Sequence, residues 1–87
     1  SRLKIGEGTQ TRVIVDIKDI ISHVADVKAN VFVCAHNHPS GSTTPSQQDI
    51  TLTQKLATAA RYIDSTLVDH IIIAGNEYYS FQNSGYL

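Results

Sequence analysis

Residues 31 to 75 switch between two hydrophobic periods, and that switching leaves few folds open. "VFVCA", Val31 to Ala35, is short, β-rich and apolar throughout, the pattern of a strand buried on both faces. A loop rich in turn residues follows. From about Gln47 to Tyr62, the apolar set Ile50, Leu56, Ala57, Ala60 and Ile63 describes a helix. "TLVDHIIIAG" then reads as a long strand, and "NEYYSF" as a short one after a turn at Gly75-Asn76.

Upstream, the sequence predicts a short strand at Leu3 to Ile5, a Gly-containing turn, and a second strand near Arg12 to Val15. Asp16 has the character of an N-cap, with Asp19 where a capping-box acid would sit. "DIKDIISHVADVKA" carries Ile17, Ile20, Ile21, Val24 and Val27 at helical spacing, so one face should be buried. His23 falls mid-helix, where a surface position is expected. The order β-β-α-β-loop-α-β-β is that of an α/β or α+β domain around one sheet. The last six residues are expected to fray.

A chain of 87 residues holds one domain with a modest core. Its seven Lys and Arg are scattered and its formal charge is −1, so no basic stripe marks it for DNA. A single cysteine, Cys34, excludes an internal disulfide and suits a reducing compartment. The longest apolar run is five residues, far short of the ~20 needed to cross a bilayer. With no signal-peptide pattern, a cytoplasmic protein with no membrane attachment is expected.

The loop "AHNHPSGSTTPSQQD" is where chemistry concentrates. His36 and His38 flank one residue directly after a strand, and Pro39 and Gly41 supply a turn that lets them converge. The same turn could bring Asp49 back toward them. Two His and one Asp make a sound Zn²⁺ ligand set, and three protein ligands leave a fourth position for water. A metal there would lower that water's pKa toward neutrality. The plainer reading is a helix start, with Ser46 as N-cap and Asp49 in the favourable first turn. On spacing alone the two readings stand about level, and they are compatible.

His36-x-His38, seven residues, then Ser46-x-x-Asp49 resembles the JAMM (MPN+) metalloprotease motif, and most closely its bacterial RadC-like branch. "AHNHPSG", "TPSQQD", "LVDHIIIAGNEYYSF" and the "EGT" at Glu7 to Thr9 all fall in that branch's order. The resemblance implies a cytidine-deaminase-like MPN/JAB fold, a central mixed twisted sheet flanked by helices. It implies His36, His38 and Asp49 as Zn²⁺ ligands and Ser46 as the catalytic hydroxyl that steadies the oxyanion. The implied activity is hydrolysis of an amide or isopeptide bond in a peptide or protein substrate. The family's traditional label is DNA repair.

The family's general acid/base is a glutamate on a strand upstream of the matched region, and neither Glu7 nor Glu77 takes its place in the pattern. Residues 1 to 87 are therefore expected to be one RadC-like domain lacking its N-terminal strand and helix. The alternative to a hydrolase is then a non-catalytic zinc-binding module. A missing strand would also leave a sheet edge open to a partner or a second copy.

Asp69 and His70 are adjacent in a strand pattern and should face opposite sides of the sheet. The family resemblance implies a structural or supporting role near the site for one of them, and a hydrogen-bonded polar residue at the sheet margin is an equally good reading. Cys34 lies two residues before His36 and is expected to be a small buried apolar group. Tyr78, Tyr79 and Phe81 are expected to serve core and rim packing.

Overall fold

A computed structural model describes residues 16–87. The two strands expected at Leu3 to Ile5 and Arg12 to Val15, and Glu7, lie outside the described residues. The elements are α1 (Ile17–Asp26), β1 (Val31–Asn37), α2 (Gln47–Tyr62), β2 (Thr66–Ala74) and β3 (Glu77–Ser80). They form a mixed α/β unit around a three-stranded sheet of order β1-β2-β3, parallel between β1 and β2 and antiparallel between β2 and β3. The parallel pair is joined by α2, as parallel strands require a crossover.

Local chemistry explains the helix bounds. Asp16 accepts from the Lys18 amide at 2.9 Å, capping α1, with Asp19 in the first turn. Ser46 caps α2 through a full capping box with Asp49. Both helices then end on a residue in the left-handed region, Lys28 (φ 55°) and Asp64 (φ 57°), where glycine is usual. β2 and β3 are linked through Gly75, whose φ of 60° suits it to the tight turn.

One core joins α1, β1, α2 and β2. Ile20 and Val24 of α1, Cys34 of β1, Leu56 of α2 and Leu67 of β2 form a buried cluster, with Phe32, Ala57, Ile63 and Leu87 packed around it. Fully burying a side chain such as Leu56 stabilises by about 1.5–3 kcal/mol. Burial pushes the Cys34 thiol up to about 11, so it sits there as an inert apolar group.

Four expectations need correction. β1 is not buried on both faces: Val31 is 61% and Val33 55% exposed, while Cys34 and its neighbours on the other face meet the helices. A continuous apolar run cannot by itself distinguish a two-sided strand from a one-sided one. β1 also runs on to Asn37, so His36 is a strand residue and only His38 belongs to the loop. The last residues do not simply trail away. The Tyr86 amide donates to the Phe81 carbonyl at 3.0 Å, and Leu87 packs on the core. Val27, at the C-cap of α1, is exposed, whereas Ile20 and Val24 are the buried stripe. Among the described residues, no helix is long and apolar enough to cross a membrane.

Candidate metal centre

The end of β1, the loop after it and the first turn of α2 converge on one point. His36 projects from the β1 face that carries Cys34, toward α2. The chain then stays against β2, because the His38 amide donates to the Ile73 carbonyl at 3.0 Å. Pro39 and Gly41 occupy the second and fourth positions of a tight turn closed by the Gly41 amide on the His38 carbonyl at 3.2 Å. Gly41 adopts φ 82°, a conformation a side chain would strain. Farther along, Ser42 and Thr44 amides bond to the Ser40 and Ser42 hydroxyls, folding the loop on itself.

His38 is oriented by this loop. Its Nδ1 lies 2.9 Å from the Ser42 carbonyl oxygen, which can only accept, so Nδ1 is the donor, and the neutral ring then has its lone pair on Nε2. That Nε2 faces Asp49 Oδ2 at 3.2 Å, and His36 Nε2 faces Asp49 Oδ1 at 3.5 Å. Asp49 is fixed by Ser46, whose amide donates to Oδ2 at 2.8 Å while its Oγ accepts from the Asp49 amide at 3.1 Å.

One ligand atom each from His36, His38 and Asp49 lie within 4.8 Å of one another. Bonds of about 2.0–2.2 Å to a tetrahedral ion set neighbouring ligand atoms about 3.3–3.6 Å apart. The His36–Oδ1 and His38–Oδ2 separations, 3.5 and 3.2 Å, are close to that spacing, although each histidine faces a different oxygen of Asp49. The donor set, two imidazoles and one carboxylate, suits Zn²⁺ and leaves a position open. The residues fit a metal ion.

The electrostatics are those of a partly buried site. Burial lowers the His36 imidazole below the usual histidine range, with Asp49 pulling it up and His38 pushing it down. Burial pushes the Asp49 carboxyl up. Its hydrogen bonding with Ser46 and the nearby His36 and His38 outweigh that, and it lies below its ordinary value. His36 is thus ready as a neutral ligand and Asp49 as an anion.

Behind the cluster stands a buried polar pair. His70 is 3% exposed, stacks on Phe81 with ring centroids 4.7 Å apart, and places Nε2 2.8 Å from His36 Nδ1. Its Nδ1 meets Thr53 Oγ1 at 2.5 Å. Burial, and secondarily His36, lower His70 to about 4. Asp69 bonds elsewhere, accepting from the Ser80 hydroxyl, the His70 amide and the Gln82 amide. Both residues therefore have structural partners, His70 next to the cluster and Asp69 between β2 and the chain after β3. Thr53 escaped sequence reasoning, although its spacing of four from Asp49 puts it on the same face of α2. Phe81 is buried, Tyr79 half-buried and Tyr78 exposed, as core and rim packing requires. Glu77 is exposed at the start of β3, and among the described residues no glutamate joins the cluster.

A family model described as RadC-like JAB domain matches residues 1–86. Curated relatives include the UPF0758 protein YkfG of Escherichia coli (strain K12), 41% identical over 80 residues, which are 92% of this chain and 51% of the relative. The UPF0758 protein YfjY of the same strain is 41% identical over 70 residues, 80% of this chain and 44% of the relative. A UPF0758 protein of Pelobacter propionicus is 36% identical over 86 residues, 99% of this chain and 38% of the relative. The chain spans about half or less of the length of these bacterial relatives.

Proposed function

Because this chain belongs to the RadC-like JAB domain family, we propose that it is a zinc-dependent metallohydrolase domain that cuts an amide or isopeptide bond in a peptide or protein substrate. The observation that carries this reading is the convergence of His36, His38 and Asp49 within 4.8 Å, with Ser46 bonded to Asp49. Zinc bound there would supply Lewis-acid activation of water and of the scissile carbonyl. The chain's own residues do the rest. His36, His38 and Asp49 are the metal ligands, and Asp49 is held to its post by the cap of α2. Ser46 Oγ already accepts from an amide, so its O–H is left to donate to the oxygen that gains charge as the carbonyl is attacked. A reducing, cytoplasmic setting accords with the lone buried thiol of Cys34.

Elemental analysis of the purified protein tests the centre. About one zinc per chain is expected, with His36→Ala and His38→Ala each abolishing it; no zinc in the unsubstituted protein rules the centre out. A second reading, a metal-stabilised binding module without turnover, rests on the described residues bringing two imidazoles and one carboxylate together while Glu77 is exposed at the start of β3. Peptide and isopeptide hydrolysis separates the two. Turnover lost on Ser46→Ala establishes the hydrolase, and a zinc-loaded protein without turnover establishes the module.

A further inference from the structure

We propose that Thr53 and His70 are positioning residues that set the tautomer of His36, leaving its Nε2 unprotonated and aimed at the metal position. The argument is an accounting of protons along a buried chain of contacts. Thr53 Oγ1 lies 2.7 Å from the Asp49 carbonyl oxygen, which can only accept, so the single hydroxyl proton of Thr53 is committed there. Thr53 Oγ1 can then only accept at its other contact, 2.5 Å from His70 Nδ1, and that nitrogen must carry a proton. A neutral imidazole has one donor and one acceptor nitrogen, so with its proton on Nδ1 the buried His70 ring, stacked flat on Phe81, offers Nε2 as the acceptor. His36 Nδ1, 2.8 Å away, is therefore the donor to His70, and His36 Nε2, which faces Asp49 Oδ1, is left as the ligand atom. The backbone of Asp49 thus dictates, through Thr53 and His70, the protonation pattern of His36.

The same helix turn therefore does two things for the site: the Asp49 side chain faces the metal position directly, and the Asp49 carbonyl orients His36 from behind. His38 reaches the same Nδ1–H tautomer by a different route, through the Ser42 carbonyl. Both imidazoles present Nε2, and each is held by a hydrogen bond on its other nitrogen, as metal-ligating histidines usually are.

The consequence for metal affinity rests on the zinc reading above; the tautomer does not. Proton–nitrogen NMR correlation of the imidazoles in metal-free protein at neutral pH reads the tautomers directly. His36 and His70 are both expected in the Nδ1–H form. Thr53→Val, which removes the acceptor but keeps the shape, should move His36 toward the Nε2–H form and weaken zinc binding about 10–100-fold. Thr53→Ser, which keeps the hydroxyl, should restore both. A His36 Nε2–H form in the unsubstituted protein overturns the proposal, as does a Thr53→Val protein with unchanged tautomer and affinity. If the unsubstituted protein binds no zinc yet shows both Nδ1–H forms, the metal reading fails and the relay stands.

Discussion

Asp49 and Ser46 exchange two hydrogen bonds, amide to Oδ2 at 2.8 Å and amide to Oγ at 3.1 Å, so the residue that closes the start of α2 also faces both histidines. Capping is separable by substitution from the proposed metal ligation. Asp49→Asn keeps an oxygen that can accept from the Ser46 amide, whereas Asp49→Ala does not. In metal-free protein Asp49→Ala is expected to cost about 1 kcal/mol, and Asp49→Asn about half that or less. Both should lose zinc. Urea unfolding with chelator, beside a zinc competition assay, measures the two effects. An Asp49→Asn protein with undiminished zinc affinity would contradict the ligand assignment.

The buried histidine makes the metal-free fold acid-sensitive. His70 lies near 4 in the folded protein against 6.5 unfolded. Its folded value is depressed, so below 6.5 the unfolded chain binds the proton first and unfolding is favoured. The stabilising contribution is whole above 6.5 and drains as pH falls toward 4. At about 1.4 kcal/mol per unit, the loss approaches roughly 3 kcal/mol. His36 is shifted the same way and adds to it. Denaturant midpoints across this range, taken with chelator present, should fall steadily. A His70→Gln protein should show a flatter profile, and an equal slope in both would refute the assignment to His70.

Asp69 is expected to matter for stability rather than for metal. Its carboxylate accepts from the Ser80 hydroxyl at 2.6 Å, the His70 amide at 2.7 Å and the Gln82 amide at 3.0 Å. Removing it leaves the Ser80 hydroxyl and the chain after β3 without their anchor. Asp69→Ala should cost about 2–3 kcal/mol, on the scale of hydrogen bonds to a charged acceptor. Zinc affinity should stay within a few-fold of the parent once the protein is folded. Thermal melts and metal titration together check this, and a large loss of affinity without loss of stability would count against it.

How far these relationships were legible follows from the physics of each signal. The bounds of α2, Gln47 and Tyr62, were readable because its apolar spacing and its Ser46–Asp49 start are both local. β2 and β3 were readable from β-rich runs flanking Gly75. The three candidate ligands were readable only as a pattern, and their convergence depends on the His38–Ile73 pairing and the turn at Gly41. The open face of β1 was not legible, since whether Val31 and Val33 are covered depends on what packs there, not on their own sequence. Thr53 was silent as well. A threonine on a helix announces nothing until the histidine that meets it, seventeen residues away, is in place.

The helix ends hold the last prediction. Lys28 and Asp64 each occupy the left-handed position after a helix, and the bonds around them are complete. After α1, the Ala29 amide donates to the Val24 carbonyl at 3.2 Å and the Lys28 amide to Ala25 at 3.1 Å. After α2, Ser65 donates to Ala60 at 2.9 Å and Asp64 to Arg61 at 3.2 Å. These are the two bonds of the Schellman ending, a motif that favours glycine at the position held here by lysine and aspartate. A non-glycine residue there costs about 1–2 kcal/mol, while glycine adds about 0.4–1 kcal/mol of unfolded-state entropy. Lys28→Gly and Asp64→Gly should therefore each stabilise by roughly 0.5–1 kcal/mol, additively, since the two sites end different helices. Asp64→Ala removes the carboxylate without relieving the backbone, and should not stabilise. Denaturant midpoints for the three variants decide the matter: if Asp64→Ala gains as much as Asp64→Gly, the side chain and not the backbone conformation is the source of the strain.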